Sequence, residues 1–264
     1  MRVNTIQYLY GFVPSDAPDP PAELYGIDGH RIRLLDVGGF SAAASTLDAA
    51  DYSPSLVEDR LSDLAWVGPR GVEHERVVTW FADHATIVPA RLLTLFSSDA
   101  ALLDEARQRA RTVADHLERF RGRREWDLKV SYEIDGIDVV QRSERAAEVA
   151  AEIAGAAPGR SYLLQRKLAE VVREEAPAVA QALAADLLEE LAALADEVTE
   201  LEIPSHDEAL PVVLDAALLV HDDRIAQLRG LATRRQAELR ASGVHATLTG
   251  PWAPYRFMAD PDDA

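Results

Sequence analysis

The chain has no cysteine, which excludes disulfides, thiolate metal sites and cysteine nucleophiles together. Lysine is nearly missing too: of 27 basic residues, only Lys129 and Lys167 are lysines. Although 48% of the residues are hydrophobic, no run approaches the ~20 apolar residues that a membrane-spanning helix requires. The opening Met1-Arg2-Val3-Asn4-Thr5 lacks the apolar core of a secretory signal. No Walker loop, Rossmann glycine fingerprint or Gly-x-Ser-x-Gly elbow is present, so the phosphate-binding, dinucleotide and serine-hydrolase readings have no foothold. These absences predict a cytoplasmic protein with no cofactor and no catalytic site.

What is abundant is negative charge. The net charge of −18 would repel the phosphate backbone of a nucleic acid, which requires a basic footprint. Dense carboxylates with few lysines suit a salt-rich cytoplasm, where repulsion is screened, so a halophilic source is expected. A GC-rich coding bias would produce the same arginine excess. A length of 264 residues allows a real core, as one large domain or two small ones.

The pattern resets near Gly122-Arg123-Arg124, which predicts an α+β protein of two domains, 1–121 and 125–264. In the first, residues 4–13 read as a strand, and 31–37 and 40–47 as a hairpin through Gly38-Gly39. Helices are expected over 55–66 and 72–84, separated at Pro69-Arg70-Gly71, and over 99–121 after a Ser98 cap. In the second, strands are expected at 126–134, 201–204, 211–220 and 244–249. Helices at 143–153, 160–198 and 222–242 fall between them, with Pro177 kinking or dividing the middle one. Leaving out the short helix, the order is β-α-β-β-α-β, the ferredoxin-like split βαβ. The N-terminal domain reads as a related sheet with helices.

The tail Thr249-Gly250-Pro251-Trp252-Ala253-Pro254-Tyr255-Arg256-Phe257 crowds large aromatics into a stretch that two prolines keep from being helical. A docked tail is expected, with Gly250, Pro251 and Pro254 shaping it and Trp252, Tyr255 and Phe257 anchoring it on the second domain. The wording TGPWAPYRF resembles the closing signature of the GvpL/GvpF family of gas vesicle accessory proteins. Further blocks agree in order: residues 8–13 (YLYGFV), 74–78 (HERVV), 87–96 (IVPARLLTLF), 125–130 (EWDLKV) and 159–163 (GRSYL). At 90–93 the chain reads Ala-Arg-Leu-Leu where the family more often has Pro-Leu-Arg-Phe-Gly. The resemblance spans about residues 6–257 and implies two α+β domains and a role in building gas vesicles. It also implies contacts with the shell protein GvpA and other accessory Gvp proteins, and association with the vesicle. The rival reading, by analogy of fold, is a small-ligand sensor or regulatory domain.

Several clusters invite chemistry. Neighbours on a helix point about 100° apart, so His74 and Glu75 are not expected to share a site, and the pair reads as structural. His206-Asp207-Glu208 and His221-Asp222-Asp223 carry ligand types without the i, i+4 histidine pair of a helical zinc site, and Asp222 is expected to cap a helix. Gly159 and Tyr162 read as a helix-start motif. Arg160, Arg166 and Lys167 form the densest basic cluster of an acidic chain, suited to polar contacts with accessory proteins. Tyr8, Tyr10, Phe12, Leu93 and Phe96 are the residues expected to meet the hydrophobic shell protein.

Overall fold

The computed structural model describes residues 5–134, 136–203 and 210–258. The chain divides into two units, one running to Arg124 and resuming at Pro251, the other spanning Glu125–Gly250.

In the first unit, aromatic and β-branched residues build β1 (Thr5–Pro14), with β2 (Ile32–Asp36) and β3 (Phe40–Asp48) joined through Gly38-Gly39. β3 runs antiparallel to β1 from Thr5 opposite Asp48 to Pro14 opposite Phe40, slipping register between Leu9 and Gly11. Two helices follow, α1 (Pro54–Arg60) and α2 (Leu64–His84). α2 runs straight through Pro69, where the sequence predicts a break. The proline costs one hydrogen bond, on the order of 3 kcal/mol, but Trp66, His74, Val77, Val78, Phe81 and Ala82 are all buried along that one helix. Burying several such side chains at roughly 1.5–3 kcal/mol each outweighs the loss. Short strands β4 (Val88–Pro89) and β5 (Leu95–Phe96) both pair with β1, giving the order β2-β3-β1-β4. The long helix expected after Ser98 is two, α3 (Asp99–Gln108) and α4 (Ala110–Arg119), because Arg109 leaves helical geometry at ψ 12°. Ser98 does cap, accepting from the Ala101 N–H at 3.2 Å.

The second unit takes up the chain along β6 (Arg123–Tyr132), followed by α5 (Glu144–Ala154) and α6 (Pro158–Ala192). After them come β7 (Glu197–Glu200), β8 (Val212–His221), α7 (Ile225–Arg240) and β9 (Val244–Trp252). The strand order β7-β8-β6-β9, with helices in both crossovers, is that of the split βαβ. α6 is continuous through Pro177, and Ala176, Val179, Ala180, Leu183, Ala184, Leu187 and Leu191 bury one face of it against the sheet. The turn before α7 is capped by His221, whose ring accepts from the Asp223 N–H at 3.4 Å. Asp222 is not the cap.

The tail corrects the expectation of a second-domain anchor. From Pro251 it belongs to the first unit, where Ala253 and Tyr255 join the apolar cluster of Tyr8, Val77, Phe81 and Ile87. Phe257 is buried, and its carbonyl accepts from the Arg119 guanidinium at 3.1 Å. Trp252 stays 39% exposed and anchors little. Gly250, the last residue of the second unit, must be glycine for its own strand pairing: its φ is +143°, and a Cβ there would lie 2.9 Å from the Glu125 carbonyl oxygen of β6.

Replacing Phe257 by alanine is therefore expected to cost about 3–5 kcal/mol, while Trp252→Ala costs less than about 1 kcal/mol. Denaturant unfolding of the full chain measures both. Equal midpoints for Phe257→Ala and wild type would show that the tail is not an anchor.

Candidate functional site

The most distinctive side-chain constellation lies inside the first unit and joins four segments. α2 turns His74 toward β1, where Tyr8 Oη lies 2.7 Å from His74 Nδ1. On the other side of the ring, Nε2 is 3.2 Å from the Ala90 carbonyl and 3.2 Å from Tyr255 Oη. A carbonyl only accepts, so Nε2 carries the proton and Nδ1 accepts from the Tyr8 hydroxyl. Tyr8 Oη in turn accepts from the Leu93 N–H at 3.2 Å, and Tyr255 donates to Glu75 Oε2 at 3.2 Å. His74 and Glu75 therefore do share a partner, contrary to the expectation from their angular separation: the long Tyr255 side chain reaches both.

Burial pushes His74 down to about 4, against the opposing pull of the Ala90 carbonyl. It pushes the Tyr8 hydroxyl up, beyond the ordinary tyrosine range. Beside them, Tyr10 accepts from the Ile27 N–H at 2.8 Å and sits 2.9 Å from Ser45 Oγ, which donates to the Arg31 carbonyl. Burial likewise pushes Tyr10 up to about 12. Every proton named in this network has a protein acceptor, with Glu75 and Tyr255 half-buried at its outer end. A buried set paired in this way holds segments together.

A second cluster pins the loop before β2. Arg70 donates to both Asp28 carboxylate oxygens, at 2.8 and 2.9 Å, and to Tyr52 Oη at 2.9 Å. Its guanidinium also lies 4.2 Å from the Trp66 ring centroid, and Tyr52 donates to Asp28. Asp28 occupies the left-handed region at φ +49°. So does Leu93, at φ +63°.

The residues expected to meet the shell protein are mostly not at the surface. Tyr8 and Tyr10 are fully buried, and Phe12, Leu93 and Phe96 are half-buried. α2 and the strands around β1 cover what the aromatic strand would otherwise present. The exposed apolar surface is elsewhere: Leu61 at 56%, Leu64 at 83% and Val72 at 69%. Leu64, Gly68 and Val72 fall at i, i+4 and i+8 on α2, with exposed Ala65 and Pro69 beside them; over these three turns the face carries no charge, and it becomes charged at the next turn with Glu75 and Arg76. Reading a break at Pro69 hid this stripe, since its members then belonged to different elements. In the second unit Arg160, Arg166, Lys167, Gly159 and Tyr162 are exposed. Arg160 lies 3.6 Å from Glu152.

Among the described residues no group of three or more His, Asp or Glu could hold a metal, and no helix is long and apolar enough to cross a membrane. His206, Asp207 and Glu208 lie outside the described residues.

Residues 7–259 match the family model for the gas vesicle synthesis protein GvpL/GvpF. The chain belongs to that family. It is 32% identical to gas vesicle protein L of Streptomyces sp. (strain CB03234), over 97% of this chain and 94% of that one. The fold resembles the crystal structure of GvpF from Anabaena sp. PCC7120 at a TM-score of 0.69 and 18% identity, covering 97% of this chain and 99% of that one. GvpF from Microcystis aeruginosa gives a TM-score of 0.66 at 17% identity, with the same coverage of 97% and 99%. An accessory role in gas vesicle formation follows from the family. The α+β architecture read from the sequence agrees with these structures.

Two outcomes test the buried network. The unfolded chain protonates His74 near 6.5, the fold only near 4, so the unfolded state binds more protons between these values. The contribution is therefore complete above about pH 6.5 and is lost as pH falls toward 4, amounting to about 3 kcal/mol. His74→Gln, which can still accept from Tyr8 and donate to Ala90, should itself lack this pH dependence, so its stability difference from wild type should change by about 3 kcal/mol as pH falls from 7 toward 4. Parallel curves for the two proteins from pH 7 to 4.5 would place the titration elsewhere. At Leu93, glycine should be better tolerated than alanine by about 1 kcal/mol, because only alanine keeps the left-handed strain. A higher melting temperature for Leu93→Ala than for Leu93→Gly would deny that strain.

Proposed function

We propose that this protein is an assembly factor that binds the gas vesicle shell protein GvpA through its first unit and other accessory Gvp proteins through its second. The observation that carries the first part is the uncharged stripe of Leu64, Gly68 and Val72 on α2, with Leu61 at its edge. In a chain of net charge −18, three exposed helical turns without charge, ahead of Glu75 and Arg76 on the same face, are out of character unless something apolar meets them. A Cβ built on Gly68 would meet nothing within 4 Å, leaving a notch where an apolar partner segment can come close. A very apolar shell subunit must be shielded until it joins the growing wall, and such a stripe provides shielding without a fixed geometry. For the second unit, the support is the exposed Arg166 and Lys167 on α6, which offer cationic contacts on a protein of negative net charge.

The α2 site is tested by co-expressing the tagged full chain with GvpA and quantifying the shell protein that co-purifies. Leu64→Glu combined with Val72→Glu should lower retention at least tenfold while leaving the melting curve in place, since both side chains are exposed. Wild-type retention by this variant would remove the stripe from the site. No retention by the wild-type chain would overturn the shell-binding reading itself.

A further inference from the structure

α7 is the most cationic helix of an acidic protein. Over Ile225–Arg240 it carries four arginines, Arg229, Arg234, Arg235 and Arg240, against the single acid Glu238. Arg235 is committed: it bonds Glu238 at 2.6 Å and Glu190 of α6 at 3.2 Å. The other three are exposed and form no ion pair among the described residues. With 45 carboxylates on the chain, three arginines left without one on a single helix are not explained by internal pairing.

A groove within the second unit is lined by one of them, Arg234, while Arg229 stands across the Gly230 rim from it. Ala193 and Leu194, just after α6, and Leu231 of α7 give it an apolar lining, and Gln227, Gly230, Arg234 and the engaged Glu190 complete it. Leu194 and Leu231 are half-buried against the core below, so the floor is firm. A Cβ on Gly230 would meet nothing within 4 Å, which leaves the rim of α7 low between Arg229 and Arg234. Glycine in the middle of an exposed helix costs about 1 kcal/mol relative to alanine, and neither strain nor close packing inside the protein calls for it here.

We infer that α7 and this groove receive an acidic amphipathic helix of a partner protein, its apolar side on Leu194 and Leu231 and its carboxylates on Arg229 and Arg234. The charge pattern selects the acid: three unpaired guanidinium groups in an otherwise negative protein attract carboxylates and reject basic segments. The apolar floor selects a helix with aliphatic side chains at i, i+3, i+4 and i+7. A nucleic acid fits less well, since its phosphates demand a longer basic track and would leave the leucine floor uncovered. The site rests on the reading of the second unit as the one that receives accessory proteins. It is independent of the α2 stripe, so the shell-protein co-purification and the experiment below fail separately.

The test uses the full chain and a fluorescein-labelled 20-residue helical peptide with one leucine face flanked by glutamates, read by fluorescence anisotropy at low and high salt. The control peptide replaces the glutamates by lysines. The glutamate peptide should bind at least tenfold more tightly than the lysine peptide and weaken as salt rises. Arg229→Glu combined with Arg234→Glu should reduce its affinity at least tenfold. Gly230→Leu, which suits a helix and fills the notch, should reduce it comparably while leaving the melting temperature unchanged or higher. Equal binding of the two peptides, or wild-type binding by both variants, overturns the inference. Tighter binding of a random single-stranded 20-mer would assign the surface to nucleic acid instead. A wild-type dimer in sedimentation that the Arg229/Arg234 variant dissociates would assign it to a second copy of this chain.

Discussion

A neutral imidazole buried between two tyrosines organises the first unit. His74 cannot be charged cheaply where it sits, and it cannot be left without partners, because an unsatisfied buried polar atom costs on the order of 1–3 kcal/mol. Its two nitrogens therefore dictate what surrounds them. Nδ1 requires a donor, which β1 supplies through Tyr8; Nε2 requires acceptors, which the turn after β4 and the C-terminal tail supply through Ala90 and Tyr255. Segments more than 180 residues apart in sequence are thereby held at one ring. The turn's left-handed Leu93 fits the same scheme: its N–H is the donor that completes Tyr8.

Two neighbouring constraints extend the effect. Arg70, one helical turn before His74, fixes the loop before β2 through Asp28 and stacks on Trp66, so α2 is tied to the sheet at two successive turns. This explains how the helix tolerates Pro69 between its cap and its buried face. The Arg70 guanidinium also donates to the Trp66 carbonyl at 3.1 Å, supplying a donor in the turn that the proline interrupts.

Much of this architecture was legible in the sequence, and what was not has a physical reason. Most strand and helix positions followed from periodicity and caps, as did the split βαβ order of the second unit, but β7 lies at Glu197–Glu200, where the end of a helix was expected, rather than at 201–204. The exposure of Tyr8 and Tyr10 did not. An aromatic strand serves a core or a partner equally well, and the clue was that residues 8–13 run apolar without alternation, as a strand covered on both faces does. The tail's rigidity and bulk could be read locally, but its destination could not, because docking depends on contacts across the whole chain. The helix break expected at Pro69 fails for a related reason. A local rule about one hydrogen bond is outweighed by a buried face seen only when residues 64–84 are taken together. The shared partner of His74 and Glu75 was missed because angular separation on a helix says nothing about a long side chain arriving from the tail.

The charge of the chain sets a condition on any binding surface it has. At −18 the protein repels other acidic molecules over roughly a Debye length, about 8 Å at physiological ionic strength. A partner that is itself acidic can be held only where that field is cancelled or reversed, and an apolar partner only where charge is missing. Among the described helices, the uncharged stripe of α2 is a place of the second kind, and the arginines of α7 and the Arg166-Lys167 pair of α6 are places of the first. Under the proposed role, their placement on different units would let one chain meet two components of different chemistry. Two contacts of different chemistry respond differently to salt, since screening weakens the ionic one and leaves apolar burial in force. A protein built this way can therefore keep hold of an apolar subunit while exchanging acidic partners, with no catalytic step required.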